Sequence, residues 1–200
     1  MPKNVVNPEF LPILEKMPSF DGLSGRSLPE VREIFMTSVR LIEGKPLPDV
    51  EVQEEYIPGP AGAPDVRVLV YRPRTRQPDA PAMVYIHGGG LVSGHPEGDD
   101  PKCQVLASKM GFVIVSVDYR LAPEVKYPAA IEDCYAALKW VHDNAAQLGI
   151  NRDKVAVAGE SAGGGLSAAL SLMARDRKEY KLAHAVYTAG GSKSAYLDDE

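Results

Sequence analysis

Three runs of this chain, Met83 to Ile86, Phe112 to Val117 and Val155 to Ala158, are almost continuously apolar and too short for helices. A strand that is apolar at consecutive positions has to be covered on both faces, the condition of a parallel sheet inside an α/β protein. The segments between the runs have helix length. One is Lys102 to Met110. The other, Pro128 to Leu148, sets Ile131, Tyr135, Leu138, Val141, Ala145 and Leu148 on one stripe, with Pro128 suited to the first turn. Strand, helix, strand, helix, strand predicts an α/β fold with a mostly parallel central sheet and right-handed crossovers. A further helix is expected from Ala162 to about Arg175.

Upstream, Val50 to Ile57 and Asp65 to Tyr71 are β-type runs joined by the Gly/Pro-rich stretch Pro58 to Pro64, the pattern of an antiparallel hairpin with a long loop. Before them lie two apolar helical patterns, Pro8 to Met17 and Pro29 to Glu43, separated by a loop-like stretch from Pro18 to Gly25. In the second, Val31, Ile34, Phe35, Ser38, Val39 and Ile42 recur near the 3.6 period. Residues 1–46 thus read as an amphipathic helical attachment and residues 47–200 as the core of a single domain. Two hundred residues at 44% hydrophobic composition suffice for one such core.

Charge and composition remove several function classes. A net charge of −5 with scattered Lys and Arg gives no footprint for nucleic acid. No window holds 18 uninterrupted apolar residues and no apolar region follows Met1-Pro2-Lys3-Asn4, so no membrane span is expected and the protein reads as soluble and cytoplasmic. Cys103 and Cys134 fall on different predicted helices without metal-ligand spacing and read as buried reduced thiols; no metal or cofactor is expected. Nothing in the sequence addresses oligomeric state.

The chemistry concentrates in two glycine-rich stretches. Val155 to Ala158 runs into Gly159-Glu160-Ser161-Ala162-Gly163, a G-x-S-x-G pattern between a strand and a helix. A turn this sharp brings the residues two before and two after its apex close together, and Gly159 and Gly163 supply the small residues required. Ala162, Gly164 and Gly165 are expected to let the new helix pack tightly under the turn. The helix start behind Ser161 favours negative charge on an attacked carbonyl, because its first amides lack intrahelical partners. The second stretch, His87-Gly88-Gly89-Gly90, follows Met83 to Ile86 at the carboxyl end of a parallel strand, where open α/β sheets place ligands. Its N–H groups can face a carbonyl oxygen beside the N–H of Ala162. A plain Gly-rich turn or a phosphate or dinucleotide loop is the weaker reading: no Gly-Lys-Ser/Thr and no G-x-G-x-x-G opens a helix here. His87 reads as a structural hydrogen-bonder, His95 as a loop residue and His142 as a surface residue.

On HGGG at 87–90, Asp118-Tyr119-Arg120-Leu121-Ala122-Pro123-Glu124 and Gly159-Glu160-Ser161-Ala162-Gly163-Gly164, the chain resembles the hormone-sensitive-lipase-like esterases, the α/β-hydrolase fold-3 family, over roughly residues 10–175. The resemblance implies a carboxylic-ester hydrolase acting on a small-molecule ester, with Ser161 as nucleophile and Gly88, Gly89 and Ala162 as oxyanion hole. It implies supporting positions at His87, Gly90, Asp118, Gly159, Glu160 and Gly163, and N-terminal helices forming part of a lid over an acyl pocket. Asp118 to Glu124 would brace the site from the neighbouring strand end.

The family's order places a triad acid and histidine downstream of the serine. Asp176 and His184 have that order, but Asp176 lies roughly 22 Å along the predicted helix and His184 would open the next strand away from the active-site edge. Asp198, Asp199 and Glu200 have no histidine after them. The expectation is therefore an incomplete, C-terminally truncated hydrolase fold, weakly active or inactive. Ala185-Val186-Tyr187 would begin the next strand, Thr188 to Ser194 reads as an intrusion, and Tyr196-Leu197-Asp198-Asp199 resembles a later family segment. The alternative is a non-catalytic small-molecule-binding protein on the same scaffold, as the gibberellin receptors are. A partner-dependent half-hydrolase has only an exposed sheet edge behind it.

Overall fold

Successive residues of a strand point to opposite faces of its sheet, so the apolar runs need two cores. The computed structural model of the protein, which describes residues 7–16, 25–42, 45–75 and 78–188, has both. Among the described residues the strands are β1 (Val50–Ile57), β2 (Val66–Pro73), β3 (Ala80–Ile86), β4 (Val113–Asp118), β5 (Ile150–Glu160) and β6 (His184–Thr188), ordered β1-β2-β4-β3-β5-β6. Strands β4, β3, β5 and β6 pair in parallel, whereas β2 pairs antiparallel with both β1 and β4. The expected mostly parallel sheet and hairpin are present, and the hairpin extends the sheet through β2.

The helices are α1 (Leu11–Leu14), α2 (Leu28–Ile42), α3 (Asp100–Met110), α4 (Ala129–Asp143), α5 (Ala145–Leu148) and α6 (Ala162–Arg177), with 3-10 turns at Pro8–Phe10 and Pro96–Asp99. On one face Val68, Val84, Val115 and Val157 pack against Leu138 and Val141 of α4, Leu148 of α5 and Leu170 of α6. On the other, Tyr71, Met83, Tyr85 and Ile114 pack against Cys103 and Ala107 of α3. Fully burying one such valine or leucine contributes about 1.5–3 kcal/mol. Cys103 and Cys134 are free and buried, as expected; they lie under opposite faces of the sheet, and burial pushes both thiols up.

Helix α2 begins where Ser27 and Glu30 form half of a capping box: the Ser27 N–H donates to Glu30 Oε2 at 2.8 Å and its hydroxyl at 2.6 Å. The sequence held this start signal in Ser27-x-x-Glu30.

Three expectations are corrected. The helix expected from Pro128 to Leu148 breaks at Asn144, whose backbone (φ −102°, ψ 19°) leaves the helical region, and Pro128 is the N-cap of α4. His142 is buried at 5% exposure, because the connection from α6 to β6 folds over the end of α4. There Tyr180 lies 5.3 Å from the His142 ring, and Tyr135 donates to Glu179 at 2.7 Å. Burial, then the Arg152 charge, holds the imidazole below its usual pKa. Gly165 has open space where a Cβ would stand, so close packing under the turn does not require it. The strand expected at Ala185-Val186-Tyr187 is β6, while the expectations for Met17, Pro18 to Ser24, Glu43 and residues 189–200 lie outside the described residues. Among the described residues no helix is long and apolar enough to cross a membrane.

Candidate active site

Strand β5 ends at Glu160 and α6 begins at Ala162, so Ser161 alone makes the turn, at φ 54° and ψ −120°. A non-glycine residue in this region carries strain of order 1–3 kcal/mol, which the surroundings must hold in place. They do so by contact. A Cβ on Gly163 would strike the carbonyl oxygens of Ile86 and His87, and one on Gly159 would strike those of Gly163 and Ile86. The turn is wedged against the end of β3 as tightly as backbone permits. Ser161 is exposed, and its side chain makes no capping bond to α6, which leaves the hydroxyl free beside the helix's unpaired first amides.

The glycine stretch leaves β3 directly beside this turn. A Cβ on Gly88 would stand 3.5 Å from Ser161 Cβ and 3.1 Å from the Glu160 carbonyl oxygen. The Val92 and Ser93 N–H groups and the Ser93 hydroxyl all return to Gly89 O, at 3.3, 3.0 and 2.8 Å. The N–H groups of Gly88 and Gly89 find no carbonyl acceptor among the described residues. A serine hydroxyl that makes no capping bond, a helix start and two N–H donors without a carbonyl acceptor among the described residues thus lie together at the edge formed by the carboxyl ends of β3 and β5. A carbonyl carbon attacked by such a hydroxyl places its developing negative oxygen among those donors, the arrangement acyl transfer requires.

His87 is buried at 2% exposure and stacks on Tyr119 with centroids 4.2 Å apart. Its Nδ1 lies 2.7 Å from Gly88 O. A carbonyl accepts only, so Nδ1 carries the proton and Nε2 is the bare nitrogen. Burial lowers its pKa, keeping the ring neutral. Its role as a structural hydrogen-bonder fits this geometry. The 118–124 segment braces the loop: Tyr119 donates to His87 O at 3.0 Å, Ala122 N–H to Leu91 O at 2.9 Å, and Arg120 is forked onto the fully buried Asp133 at 2.7 and 2.8 Å.

Arg67 on β2 gathers Glu54 at 2.8 Å, Asp118 at 3.1 Å and Glu97, which also meets His95 Nδ1 at 2.7 Å. Burial alone would raise Glu97, but the hydrogen bonds from Arg67 and His95 outweigh it and hold the carboxyl at about 2. A folded-state pKa below the unfolded one gives stability that is complete above about pH 4.5 and lost as pH falls towards 2. Glu97→Gln is therefore expected to cost on the order of 1–2 kcal/mol at pH 7, since the side chain is 39% exposed and partly screened. Urea midpoints of the two proteins should converge by about pH 2. A gap unchanged between pH 7 and pH 3 would refute the ion pair's contribution.

A cavity of about 470 Å³ opens beside the glycine loop, with Gly88, Gly89 and Glu160 on one side and Phe35, Met36 and Val39 of α2 on the other. Lys102 on its wall bonds Glu160 at 2.5 Å and Tyr85 and Asp99 at 3.1 Å each, contacts that outweigh its burial and raise its pKa. A second cavity of about 550 Å³, between α4 and α6, is lined by Ile131, Leu166 and Met173 and touches neither Ser161 nor Gly88 and Gly89. Sequence reasoning missed Arg67, whose partners lie 13 to 51 residues away, Lys102, whose partner Glu160 lies 58 residues away, and Asp133, which reads as one polar residue on an apolar helix.

The remaining histidines stand apart from Ser161. His184 pairs with Ala156, roughly 16 Å of strand before the serine, and Asp176 sits in the last turns of an unbroken α6. The two do not meet at Ser161, as expected.

The profile of the alpha/beta hydrolase fold family matches residues 83–198. Carboxylesterase NlhH of Mycobacterium tuberculosis is 38% identical over 174 residues, covering 86% of this chain and 54% of that protein. The hyperthermophilic esterase of the archaeon Pyrobaculum calidifontis superposes with TM-score 0.72 at 47% identity over 80% of this chain and 52% of its own. A bacterial heroin esterase gives TM-score 0.82 at 34% identity over 92% and 57%. The chain spans about half the length of the curated relatives it matches. With the Ser161 elbow between β5 and α6, the glycine loop and the two-faced sheet in place, this chain belongs to the alpha/beta hydrolase fold family.

Proposed function

We propose that the chain carries the nucleophile and oxyanion half of a serine carboxylic-ester hydrolase site. Ser161 is the nucleophile, and the N–H groups of Gly88, Gly89 and Ala162 receive the oxyanion. His87, Gly90, Asp118, Gly159, Glu160 and Gly163 hold the geometry. One observation carries this reading: Ser161 is held at φ 54°, its hydroxyl not engaged in capping, against a loop whose Gly88 and Gly89 donors are unengaged.

Ser161 Oγ bonds to the ester carbonyl carbon and the carbonyl electron pair moves onto oxygen, where the three N–H groups stabilise it. One such donor is worth about 2.7–4 kcal/mol in the transition state. Collapse expels the alkoxide, which takes up a proton, and water then releases the acid from the acyl-serine. The proton leaving Oγ needs a base, and none of the histidines described above bonds Ser161. Residues 1–46 act as a helical lid segment on the core formed by 47–200, with α2 supplying the apolar wall of the 470 Å³ cavity where the acyl chain lies. The relatives' names, carboxylesterase and esterase, support a small carboxylic ester as substrate. The buried reduced thiols favour a cytoplasmic protein.

Intact-mass analysis after incubation with a p-nitrophenyl phosphonate or short p-nitrophenyl ester tests the assignment. One adduct mapping to Ser161 and absent from Ser161→Ala is expected, with hydrolysis roughly 10³-fold or more above water. An adduct elsewhere, or none together with tight binding of a small apolar ligand, would replace this reading with the binding-protein one.

A further inference from the structure

Arg32 stands near the start of α2, and all three of its nitrogens are engaged. Nε donates to the Val92 carbonyl at 2.7 Å and Nη2 to the Ala122 carbonyl at 3.1 Å. Nη1 and Nη2 each meet a carboxylate oxygen of Glu124 at 2.8 Å. These partners belong to two different loops. Val92 lies in the turn that closes on Gly89 O, and Ala122 is itself bonded to that turn through Leu91 O. A single guanidinium therefore joins the N-terminal helix, the glycine loop and the 118–124 segment. The planar fork directs three separate nitrogens at these groups in a fixed geometry, whereas an ammonium would have to reach them from a single point.

We propose that Arg32 is a positioning residue that couples the seating of α2 to the shape of the 88–93 loop. Its catalytic consequence rests on the reading of Gly88 and Gly89 as oxyanion donors; the coupling itself does not. The Arg32 side chain is 31% exposed, so its bonds to the two carbonyls form in partly desolvated surroundings, where a charged donor binds more strongly than a neutral one. Apart from this fork, α2 touches the site through the cavity wall of Phe35, Met36 and Val39, with Val39 Cγ2 set 3.3 Å from where a Cβ on Gly98 would stand. Coupling is reciprocal: whatever α2 contributes to ordering the loop, the loop contributes to holding α2. Helix seating, which builds the cavity wall, and the direction of the loop's N–H groups are then one equilibrium rather than two.

Amide hydrogen exchange of the full 200-residue chain, read over peptides spanning 28–39 and 88–94, tests the coupling in Arg32→Met, Arg32→Lys and Val39→Ala. Arg32→Met is expected to lower protection about tenfold or more in both segments, the scale of a lost charged hydrogen bond. Arg32→Lys, which keeps the charge but not the fork, should restore only a minor part. Val39→Ala loosens α2 with the guanidinium intact, and should disturb 88–94 less than 28–39. In ester hydrolysis, Arg32→Met should lower kcat about tenfold with KM within about twofold, because loop geometry matters where oxygen charge develops. Val39→Ala, on the cavity wall, should move KM first. Loosening of 28–39 with 88–94 unchanged would overturn the proposal, as would full rescue by lysine. A parent chain that forms no adduct at Ser161 with a p-nitrophenyl phosphonate would count against the hydrolase reading, with the exchange result still deciding the coupling.

Discussion

Gly163→Ala is expected to destabilise the protein by at least about 3 kcal/mol, near the top of the range for forcing an atom into a packed interior. The added Cβ would collide with the carbonyl oxygens of Ile86 and His87. Neither oxygen can retreat cheaply: Ile86 is held between Val117 of β4 and Gly159 of β5 in the parallel ladder, and the His87 carbonyl accepts from the Tyr119 hydroxyl. With a net stability of about 5–15 kcal/mol for a domain, such a loss is a large fraction of the whole. At roughly 2–4 °C per kcal/mol for a chain of this length, Tm should fall by about 6–12 °C or the protein should fail to accumulate. Gly165→Ala is the internal control. It lies in the same helix with nothing within reach of its Cβ, so replacing glycine there should be neutral or stabilising by about 0.5–1 kcal/mol. Equal melts for the two variants would mean that the elbow does not press on the end of β3.

Gly89→Val is expected to cut kcat by about 10²–10³, one oxyanion donor's worth, while the far-ultraviolet circular dichroism stays that of the parent. Gly89 has φ +117°, a region closed to valine, and its Cβ would strike the Ser93 carbonyl. The peptide must rotate to relieve both, and its N–H turns with it. KM should change little, because the ground-state carbonyl depends less on that donor than the oxyanion does. Gly90→Ala separates space from direction: φ is +66°, but the nearest atom is Val92 Cγ2 at 3.8 Å, so only the modest cost of a left-handed residue applies. Unchanged kcat for Gly89→Val would remove Gly89 from the oxyanion assignment.

Local pattern made much of the fold legible. The runs at Met83 to Ile86 and Val155 to Ala158 are apolar at every position because α3 covers one face and α4 with α6 the other. Ile131, Tyr135, Leu138 and Val141 are buried as their spacing predicts. The elbow and glycine loop were legible for a different reason: a backbone that must approach another backbone tolerates only glycine, and that demand is written in residue type. His142 was misread because a lone histidine beside an apolar stripe has no local signal for the Tyr180 connection that covers it.

By itself, then, the sequence determined the periodicities, the places where only glycine fits and, through them, the two-faced sheet and the serine at its edge, since each depends on neighbours a few residues away. The tertiary structure alone decided that β2 lies beside β4, that Arg67 gathers Glu54, Glu97 and Asp118, and that Arg32 binds Val92, Ala122 and Glu124. These partners lie 13 to 92 residues apart in sequence, beyond the three- and four-residue spacings through which a helix can encode a charge pair, so only the folded positions bring them together.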